Sequence, residues 1–341
     1  MKHKKPRLQN IDVDPKQARY AHFLRDISVN TLSANNHSPS YYIGCDNQQD
    51  QGIMRLYIPH LKPLFKPEQC ISFCYPHGFD TNIMHKSCIL ASTNLQVDYW
   101  NSEVQKLNQH PEHSLLSKDS INECDDPHGY LARMITEEVM NNYTDPRIAP
   151  PHNLILKLHD ICILMRAVSK VDKLATNTRV RITGISTNIV RVKTLDVIGA
   201  KSANLPRFIF NLKLPYGKSF TITRRQFPLR LAYSLSINRS QGQTLERVVV
   251  DLTHHCFMHG HLNVAMSRIR NADNMAVYIL ESDYDEANQM VLTTNVVYSE
   301  IVQALGNSSG NANNSGNSSS SSSSSSNNNN NNNNSSSSRN C

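Results

Sequence analysis

Short apolar runs alternate with helical patterns along residues 228–282. Two of them, VVVDL (Val248–Leu252) and MAVYIL (Met275–Leu280), are typical of buried strands. The segment between them, HGHLNVAMSRIR, predicts a helix whose apolar face consists of Leu262, Ala265, Met266 and Ile269. The stretch Pro228–Gly242 predicts another helix that ends at its glycine. Helices that alternate with short buried strands indicate a parallel sheet in an α/β domain.

The same alternation occurs upstream. The run SCILAS (Ser87–Ser92) predicts a buried strand, and in the following helix apolar residues recur at Val97, Trp100, Val104 and Leu107. Thr93 or Asn94 is suited to begin this helix, because its side-chain oxygen can accept hydrogen bonds from first-turn amides. The turn is either a ligand contact or a capped crossover. Further helices are predicted at Tyr20–Ile27, Leu131–Met140 and Val296–Leu305.

Between these α/β parts, apolar and polar residues alternate with a period of two. Leu154–Met165 is strand-like, and the alternation is clear in the segments 179–183, 190–193 and 208–214. This pattern predicts a small antiparallel β unit, inserted between two halves of one α/β domain. Arg179, Arg181, Arg191 and Lys193 share one parity. They indicate either a solvated face or a nucleic-acid surface.

The pattern divides the chain into five regions. A basic arm spans residues 1–14, and the first part of the α/β domain, with loop-rich insertions, spans 15–150. The β unit spans 151–225, and the rest of the α/β domain spans 226–305. Residues 306–341 are almost entirely Ser and Asn, so they cannot bury apolar surface and are predicted to be a disordered tail. This tail is either a spacer or an aggregation-prone tract.

Composition narrows the class of protein. The 341 residues carry a net charge of +7, a mild basic bias that permits a polyanionic partner without requiring one. The sequence has no run of 18 apolar residues, and MKHKKPRLQ lacks the apolar stretch of a signal peptide, so no membrane partner is predicted. Eight scattered cysteines fit a reduced, intracellular setting.

Two clusters of potential metal ligands lack the expected spacing. Cys70, Cys74 and Cys88 lie near His77 and His85, but their spacing matches no common zinc pattern. The cluster HHCFMHGH (254–261) lacks ligand spacing as well. We therefore predict no metal site.

One short motif resembles a phosphate-binding loop. Gly217-Lys218-Ser219 has the ending of a P-loop, but Leu212 stands where that loop needs a glycine. The residues after Ser219 alternate like a strand, whereas a P-loop opens a helix. The sequence therefore contains no recognisable Walker A loop.

Two segments closely resemble the last two motifs of the petite-integration-frequency (PIF-type) ATP-dependent DNA helicases, with the Helitron-type transposon helicases as the nearer likeness. They are RRQFPLRLAYSLSINRSQGQTLERVVVDL and HGHLNVAMSRIRN. The likeness extends to CILASTNLQVDYWN and to PPHNLILKLHDICILMRAVSKVDKLATNTRVRITGI, so it covers residues 15–282. It implies a single RecA-like domain of the P-loop NTPase type, the second of the two in that family, with an inserted small antiparallel β-barrel.

The resemblance also implies roles for particular residues. Those that would bind nucleotide are Gln241, Gly242, Thr244 and Arg268. Those that would bind DNA are Asn238, Arg239, Ser240, Thr93 and Asn94. Arg268 would be catalytic by sensing the γ-phosphate. Its helical spacing from Leu262 predicts a position well off the buried face, from which a guanidinium can neutralise a developing phosphate charge.

The sequence departs from the family in two respects. Residues 173–179 replace Gly-Leu-x-Asn-Gly-Thr-Arg with a version that lacks both glycines, which changes the geometry of that turn. The Walker A loop, the Mg-binding Asp-Glu and the phosphate-sensing Gln of the family's first RecA-like domain have no counterpart. Because phosphoryl transfer needs the P-loop lysine and the metal, the chain alone is expected not to hydrolyse ATP. ATP and Mg would act only in an intact helicase, and no intrinsic cofactor is predicted.

Three functional hypotheses remain at this stage. The first is the C-terminal part of a DNA helicase, a monomer that binds single-stranded DNA. The second is a non-enzymatic, transposon-derived remnant that binds DNA or acts as a scaffold. The third is a split helicase subunit that needs a partner bearing the Walker domain. The resemblance implies nuclear residence, and cytoplasmic residence is the alternative.

Overall fold

The computed structural model describes residues 14–29, 42–44, 53–59, 61–80, 83–121, 128, 130, 136–169, 172, 174–195, 200–213 and 221–298. The helices are α1 (Pro15–Val29), α2 (Pro67–Cys74), α3 (Asn94–Gln105), α4 (Glu137–Asn142), α5 (Ile237–Ser240) and α6 (His261–Met266). The strands are β1 (Tyr42–Gly44), β2 (Ile53–Pro59), β3 (Lys62–Leu64), β4 (Ser87–Ala91), β5 (Glu112–Leu116), β6 (Lys118–Ile121), β7 (Asn153–Lys157), β8 (Ile161–Leu164), β9 (Arg179–Ile185), β10 (Val190–Thr194), β11 (Ser202–Leu205), β12 (Phe208–Lys213), β13 (Thr221–Gln226), β14 (Leu229–Leu231), β15 (Ser234–Ser236), β16 (Arg247–Asp251), β17 (Met275–Tyr278), β18 (Tyr284–Asp285) and β19 (Met290–Val296).

A parallel sheet forms the centre of the α/β part. Its strand order is β15-β4-β16-β17-β3, and every neighbouring pair is parallel. All five residues of β4 and four of the five in β16 are buried, as expected when both faces of a sheet are covered. The predictions of strands at SCILAS, VVVDL and MAVYIL are confirmed. The α/β class with a central parallel sheet is confirmed with them.

The antiparallel unit is inserted between α3 and β15. Its strands form the sheets β11-β10-β9-β8-β14, β12-β13-β6 and β5-β7. Strands of the first and third sheets share one apolar core that includes Leu156, Leu164, Val180 and Val192. This arrangement confirms the predicted insertion. Strands β5, β6 and β11 were not predicted from the sequence, and they pair with β7, β13 and β10.

The helix predicted over Pro228–Gly242 is wrong for most of its length. This segment forms β14, then β15, and only the single turn α5 is helical. Leu229, Leu231, Tyr233, Leu235 and Ile237 recur in the sequence at intervals of two, which suits a strand. Strand β15 pairs in parallel with β4, so tertiary pairing outweighs the helix propensity of the leucines and alanine.

The helix predicted over Val296–Leu305 is wrong at its start. Val296 ends strand β19, which pairs antiparallel with β2 along its whole length. Residues 299–305 lie outside the described part of the chain, as do residues 1–13 and the tail at 306–341. Helix α4 begins at Glu137, and residues 131–135 of the helix predicted there are also outside the described ranges. The helices predicted after Ser92 and after Gly260 are confirmed as α3 and α6.

Two arginines on the inserted strands are structural. Arg179 is 6% exposed, and its guanidinium donates to the carbonyl oxygens of His85 (2.6 Å), Ala232 (2.8 Å) and Ser87 (3.4 Å). Arg224 is fully buried and pairs with the carboxylate of Asp119 at 2.8 Å. For Arg179 the two predictions of a solvated or nucleic-acid-facing side chain are therefore wrong. Its donors satisfy backbone acceptors that would otherwise be buried alone.

A buried carboxylate joins the inserted unit to α3 and to the chain before β15. Asp160 accepts hydrogen bonds from the Lys157 amide (2.7 Å), Asn108 Nδ2 (2.7 Å) and the Tyr233 hydroxyl (2.9 Å). A fourth comes from Gln105 Nε2 at 2.5 Å. Burial raises the pKa of Asp160, while these hydrogen bonds act in the opposite direction. The network is one of the links, together with the bonds of Arg179, between the inserted unit and the α/β part.

Candidate functional site

Three parallel strands end at the same edge of the central sheet, which is where ligands bind in open α/β sheets. Strand β4 leads into Thr93 and Asn94, β15 leads into Asn238, and β16 leads into Thr253. Gln96 Nε2 donates to Thr253 Oγ1 at 3.1 Å, so the segments after β4 and β16 are in direct contact. We call the surface formed by Thr93, Asn94, Asn238, Arg230 and Arg239 the carboxyl-edge surface. It contains four of the five residues predicted to bind DNA.

Thr93 caps helix α3. Its Oγ1 accepts from the Gln96 amide at 3.3 Å, and Gln96 Oε1 accepts from the Thr93 amide at 3.2 Å. This reciprocal pair is a capping box, which satisfies amides that the first turn leaves without partners. The capped-crossover interpretation of this turn is therefore correct for Thr93. Asn94 is placed differently, because its Oδ1 accepts from Arg230 at 3.3 Å.

Two arginines lie together at the carboxyl-edge surface, the half-buried Arg239 and Arg230, which is 7% exposed. The guanidiniums of Arg230 and Arg239 both donate to the carbonyl oxygen of Pro146, at 3.1 and 2.9 Å. Asp98 pairs with Arg230 at 2.6 Å. Burial lowers the pKa of Arg239, and the neighbouring charge of Arg230 lowers it further. Two like charges held together favour an anion beside them. Sequence reasoning missed Arg230, whose position between two apolar strand residues carries no distinguishing signal.

Asn238 and Ser240 lie on the single turn α5, with different surroundings. Asn238 is exposed, and its Oδ1 is 3.0 Å from Nε2 of His261. Burial lowers the pKa of His261, which favours the neutral ring. Ser240 is fully buried, and its hydroxyl donates to the Ile237 carbonyl oxygen at 2.6 Å. The predicted contact of its side chain with DNA therefore has no support in this structure.

Three of the four residues predicted to bind nucleotide, Gln241, Gly242 and Thr244, lie on the crossover from β15 to β16, and Arg268 lies between β16 and β17. Gln241 and Thr244 are exposed, and Gly242 between them has a φ of +94°, a left-handed conformation that favours glycine. The crossover runs back to the amino end of the sheet, where β16 begins. A cavity of about 550 Å³ opens there, lined in part by Lys86, Gly242, Thr244 and Arg270. Gly242 and Thr244 therefore lie at the amino edge of the sheet, whereas Gln241 stays beside Asn238, whose carbonyl oxygen accepts from the Gln241 amide at 3.2 Å.

Arg268 is not off the buried face, and that prediction is wrong. It is 7% exposed, with Nε donating to the Val264 carbonyl and Nη2 to Ser267 Oγ, both at 2.6 Å. Its Nη1 reaches the Gln243 carbonyl oxygen at 3.5 Å, so it contacts the crossover. The helix ends at Met266, so the 100° spacing used in the prediction does not extend to residue 268. Arg270 is exposed at the cavity.

The potential metal ligands among the described residues do not form a cluster. Within the described ranges, no group of three or more His, Cys, Asp or Glu residues could hold a metal ion. Burial raises the pKa of Cys70 to about 12 and of Cys88 to about 11, so both side chains carry their protons at neutral pH. No helix in the described part of the chain is long and apolar enough to cross a membrane.

Comparison with known proteins shows similarity to DNA helicases. No protein-family model matches the sequence. The ATP-dependent DNA helicase Pif1 of Campylobacter jejuni is 34% identical over 88 residues, which is 24% of this chain and 20% of the helicase. The PIF1 helicase of Candida albicans is 57% identical over 47 residues, 14% of this chain and 5% of that protein. The matched segments thus span a fifth or less of these relatives. The predicted resemblance to PIF-type helicases is confirmed.

Solved structures with similar architecture are also Pif1 helicases. The crystal structure of Pif1 from Candida albicans has a TM-score of 0.47 and 20% identity, covering 71% of this chain and 53% of that one. The structure of Bacteroides Pif1 bound to single-stranded DNA has a TM-score of 0.40 and 17% identity, covering 56% and 40%.

Proposed function

From the similarity of this chain to the Pif1-family DNA helicases, we propose that it acts as the second RecA-like lobe of an ATP-dependent DNA helicase. In this role the carboxyl-edge surface binds single-stranded DNA, and the crossover with Arg268 responds to nucleotide at the other edge. One observation carries the proposal: the crossover begins beside Asn238 on the DNA side, and the carbonyl of Gln243 farther along it contacts Arg268.

The DNA side would bind phosphates. Arg239 is half-buried beside Arg230, and their two positive charges face one paired carboxylate, Asp98. A phosphate that replaces the shared Pro146 carbonyl would gain charge-assisted hydrogen bonds from both guanidiniums. Such binding reads no base sequence and weakens with salt as counterions are released.

The nucleotide side would supply a positive charge to a triphosphate held elsewhere. Gly242, Thr244 and Arg270 line the cavity, while Arg268 lies just behind the crossover. Release of Arg268 from the Val264 carbonyl would let its guanidinium reach the cleft. ATP with Mg supplies the reacting phosphoryl group, and a Walker domain outside this sequence, in the same helicase or on a partner, would hold it. Action on DNA would place the protein in the nucleus.

We expect Arg239→Ala to weaken binding of single-stranded DNA about tenfold, since a charged hydrogen bond to phosphate is lost. The slope of log affinity against log salt should fall by about 0.7. Fluorescence anisotropy with a labelled oligonucleotide at several salt concentrations measures both quantities. Arg225→Ala is the matched control, because Arg225 is exposed on β13 and its loss changes the net charge equally.

Equal weakening by both variants would attribute binding to net charge and contradict the carboxyl-edge surface as the DNA site. Arg239→Lys keeps the positive charge. It should therefore bind more tightly than Arg239→Ala, whereas a purely structural effect of the substitution would weaken both variants alike. If the unaltered chain shows no affinity at low salt, the DNA-binding role is excluded.

A second expected result concerns ATP. The purified chain with ATP, Mg and single-stranded DNA should release no inorganic phosphate above the buffer rate, because the sequence contains no Walker A loop. Phosphate release is measured over hours at micromolar protein. DNA-stimulated turnover that Arg268→Ala abolishes would overturn this view and show a complete site in one chain.

A non-enzymatic DNA-binding remnant is the second candidate. The burial of Arg268 against its own helix favours it, since the guanidinium is already satisfied by three acceptors. It predicts the same DNA binding, but no ATP turnover with any Walker-domain partner.

A further inference from the structure

Two large apolar side chains are exposed at the end of the carboxyl-edge surface. Phe257 is 57% exposed and Met258 is 44% exposed, in the segment between β16 and α6. Keeping such side chains in water forfeits the stabilisation that burial would bring. Apolar groups exposed beside polar residues often mark a binding site.

These side chains are joined to Asn238 by direct contacts. The ring centroids of Phe257 and His261 are 5.4 Å apart, with the rings inclined at 70°. His261 is 3% exposed, and its Nε2 lies 3.0 Å from Asn238 Oδ1. Asn238 Nδ2 in turn lies 3.6 Å from the sulfur of Met258. The buried imidazole thus supports one edge of the phenyl ring and fixes it next to Asn238.

We propose that Phe257 is a stacking platform for a nucleobase of the single-stranded DNA on the carboxyl-edge surface. The proposal rests on the proposed function. It adds a contact for the base, whereas the arginine pair would contact only the phosphates. In the proposed function the guanidiniums would bind the phosphates, and the aromatic face of Phe257, linked to Asn238 through His261, suits a base of the same strand. Every base has a π-face, so this contact adds affinity without sequence preference.

The neighbouring charges favour a nucleic acid over an apolar protein partner. Phe257 is linked through His261 to Asn238, and the half-buried Arg239 is the next residue along the chain, so a basic side chain belongs to the same edge of the sheet. A strand of DNA offers both an anionic backbone and unpaired aromatic bases. Aromatic side chains beside a basic groove are the usual arrangement for binding single strands.

The test compares two oligonucleotides of equal length and charge, oligo-dT and a fully abasic strand, by fluorescence anisotropy. The unaltered chain should bind oligo-dT about tenfold more tightly than the abasic strand. Phe257→Ala should weaken oligo-dT binding about tenfold and leave abasic binding unchanged. Phe257→Leu, which keeps an apolar group without a π-face, should behave like the alanine variant. Phe257→Trp should retain the preference.

Tyr99→Ala is the matched control, since Tyr99 is a 46% exposed aromatic residue on α3, where its ring contacts Trp100. It should leave both affinities unchanged. Binding of oligo-dT without preference over the abasic strand, or a preference that survives Phe257→Ala, overturns the stacking role and leaves the phosphate-binding function intact. Absence of binding to either strand overturns both.

Discussion

Replacing Arg224 with methionine is expected to lower the free energy of unfolding by about 3–5 kcal/mol. Arg224 and Asp119 have side-chain exposures of 0% and 1%, so neither charge is solvated. Nε and Nη2 of Arg224 both donate to Asp119, and the other donors reach the carbonyl oxygens of Pro150 and Met140. Removing the guanidinium leaves the buried Asp119 carboxylate without this counter-charge and takes away the donor to the carbonyl oxygens of Pro150, Met140 and Asn141.

Urea unfolding followed by far-UV circular dichroism measures this loss. Arg225→Met is the matched control, because the next residue on the same strand is exposed, and its effect should stay within about 0.5 kcal/mol. The double variant Arg224→Met, Asp119→Leu removes both charges and should recover much of the stability. Equal unfolding midpoints for Arg224→Met and Arg225→Met would contradict the buried pair as a stabilising element.

We expect Trp100→Ala to cost about 3–5 kcal/mol of unfolding free energy. Trp100 is fully buried on α3, and its Nε1 donates to Asp251 Oδ2 at 2.7 Å at the end of β16. Its ring also contacts Tyr99 and Tyr278 edge-on, with centroids 5.2 and 5.4 Å away. The substitution combines a cavity with the loss of a charge-assisted hydrogen bond.

Trp100→Phe separates the two contributions. It keeps an aromatic ring in the core but removes the indole donor, so its cost should be smaller, about 1–3 kcal/mol. Tyr99→Ala changes the exposed neighbour and should have a lesser effect than Trp100→Ala. Thermal unfolding by circular dichroism reports all three variants, since Trp100 is the sole tryptophan and its fluorescence is lost on substitution. A negligible cost for Trp100→Ala would show that α3 is not anchored through this residue.

The parts of the fold that sequence patterns predicted are those in which apolar residues alone decide the structure. Val248–Val250 are buried between β4 and β17, and no polar group competes with that placement. Likewise Leu262, Ala265 and Met266 fill one face of α6. A cap at Thr93 or Asn94 could be predicted because capping is local, and the structure shows that Thr93 is the cap, accepting from the amide three residues ahead.

The errors occur where long-range contacts decide. Strand β19 buries Thr293 and Asn295 beside apolar residues, and Asn295 Nδ2 donates to the Ile27 carbonyl oxygen of α1 at 3.0 Å. Polar residues at buried positions conceal the alternation that identifies a strand. Leu229–Ile237 did show a period of two, but good helix formers among its residues favoured the wrong interpretation.

The DNA-binding roles of Asn238, Arg239 and Asn94, which the resemblance implies, stay predictions. The structure places all three after strands that end at one edge of the central sheet. The burial of Ser240 and Arg268 could not be read from the sequence, because each depends on a carbonyl oxygen exposed by a short helix. Sequence reasoning missed Arg230 because its proposed role depends on its proximity to Arg239, which lies 9 positions later in the chain.

The hydrogen bonds of Arg179 have a consequence for how this architecture can change over time. Its guanidinium, contributed by the inserted strands, satisfies carbonyls at residues 85, 87 and 232 that belong to the approaches to β4 and β15. Shortening the insertion to a loop would remove the donor of those oxygens. The insertion therefore contributes to the stability of the central sheet and cannot be removed without loss. Gains and losses of residues should be tolerated in loops remote from Arg179, and a chimera built by exchanging the insertion must bring an equivalent donor with it.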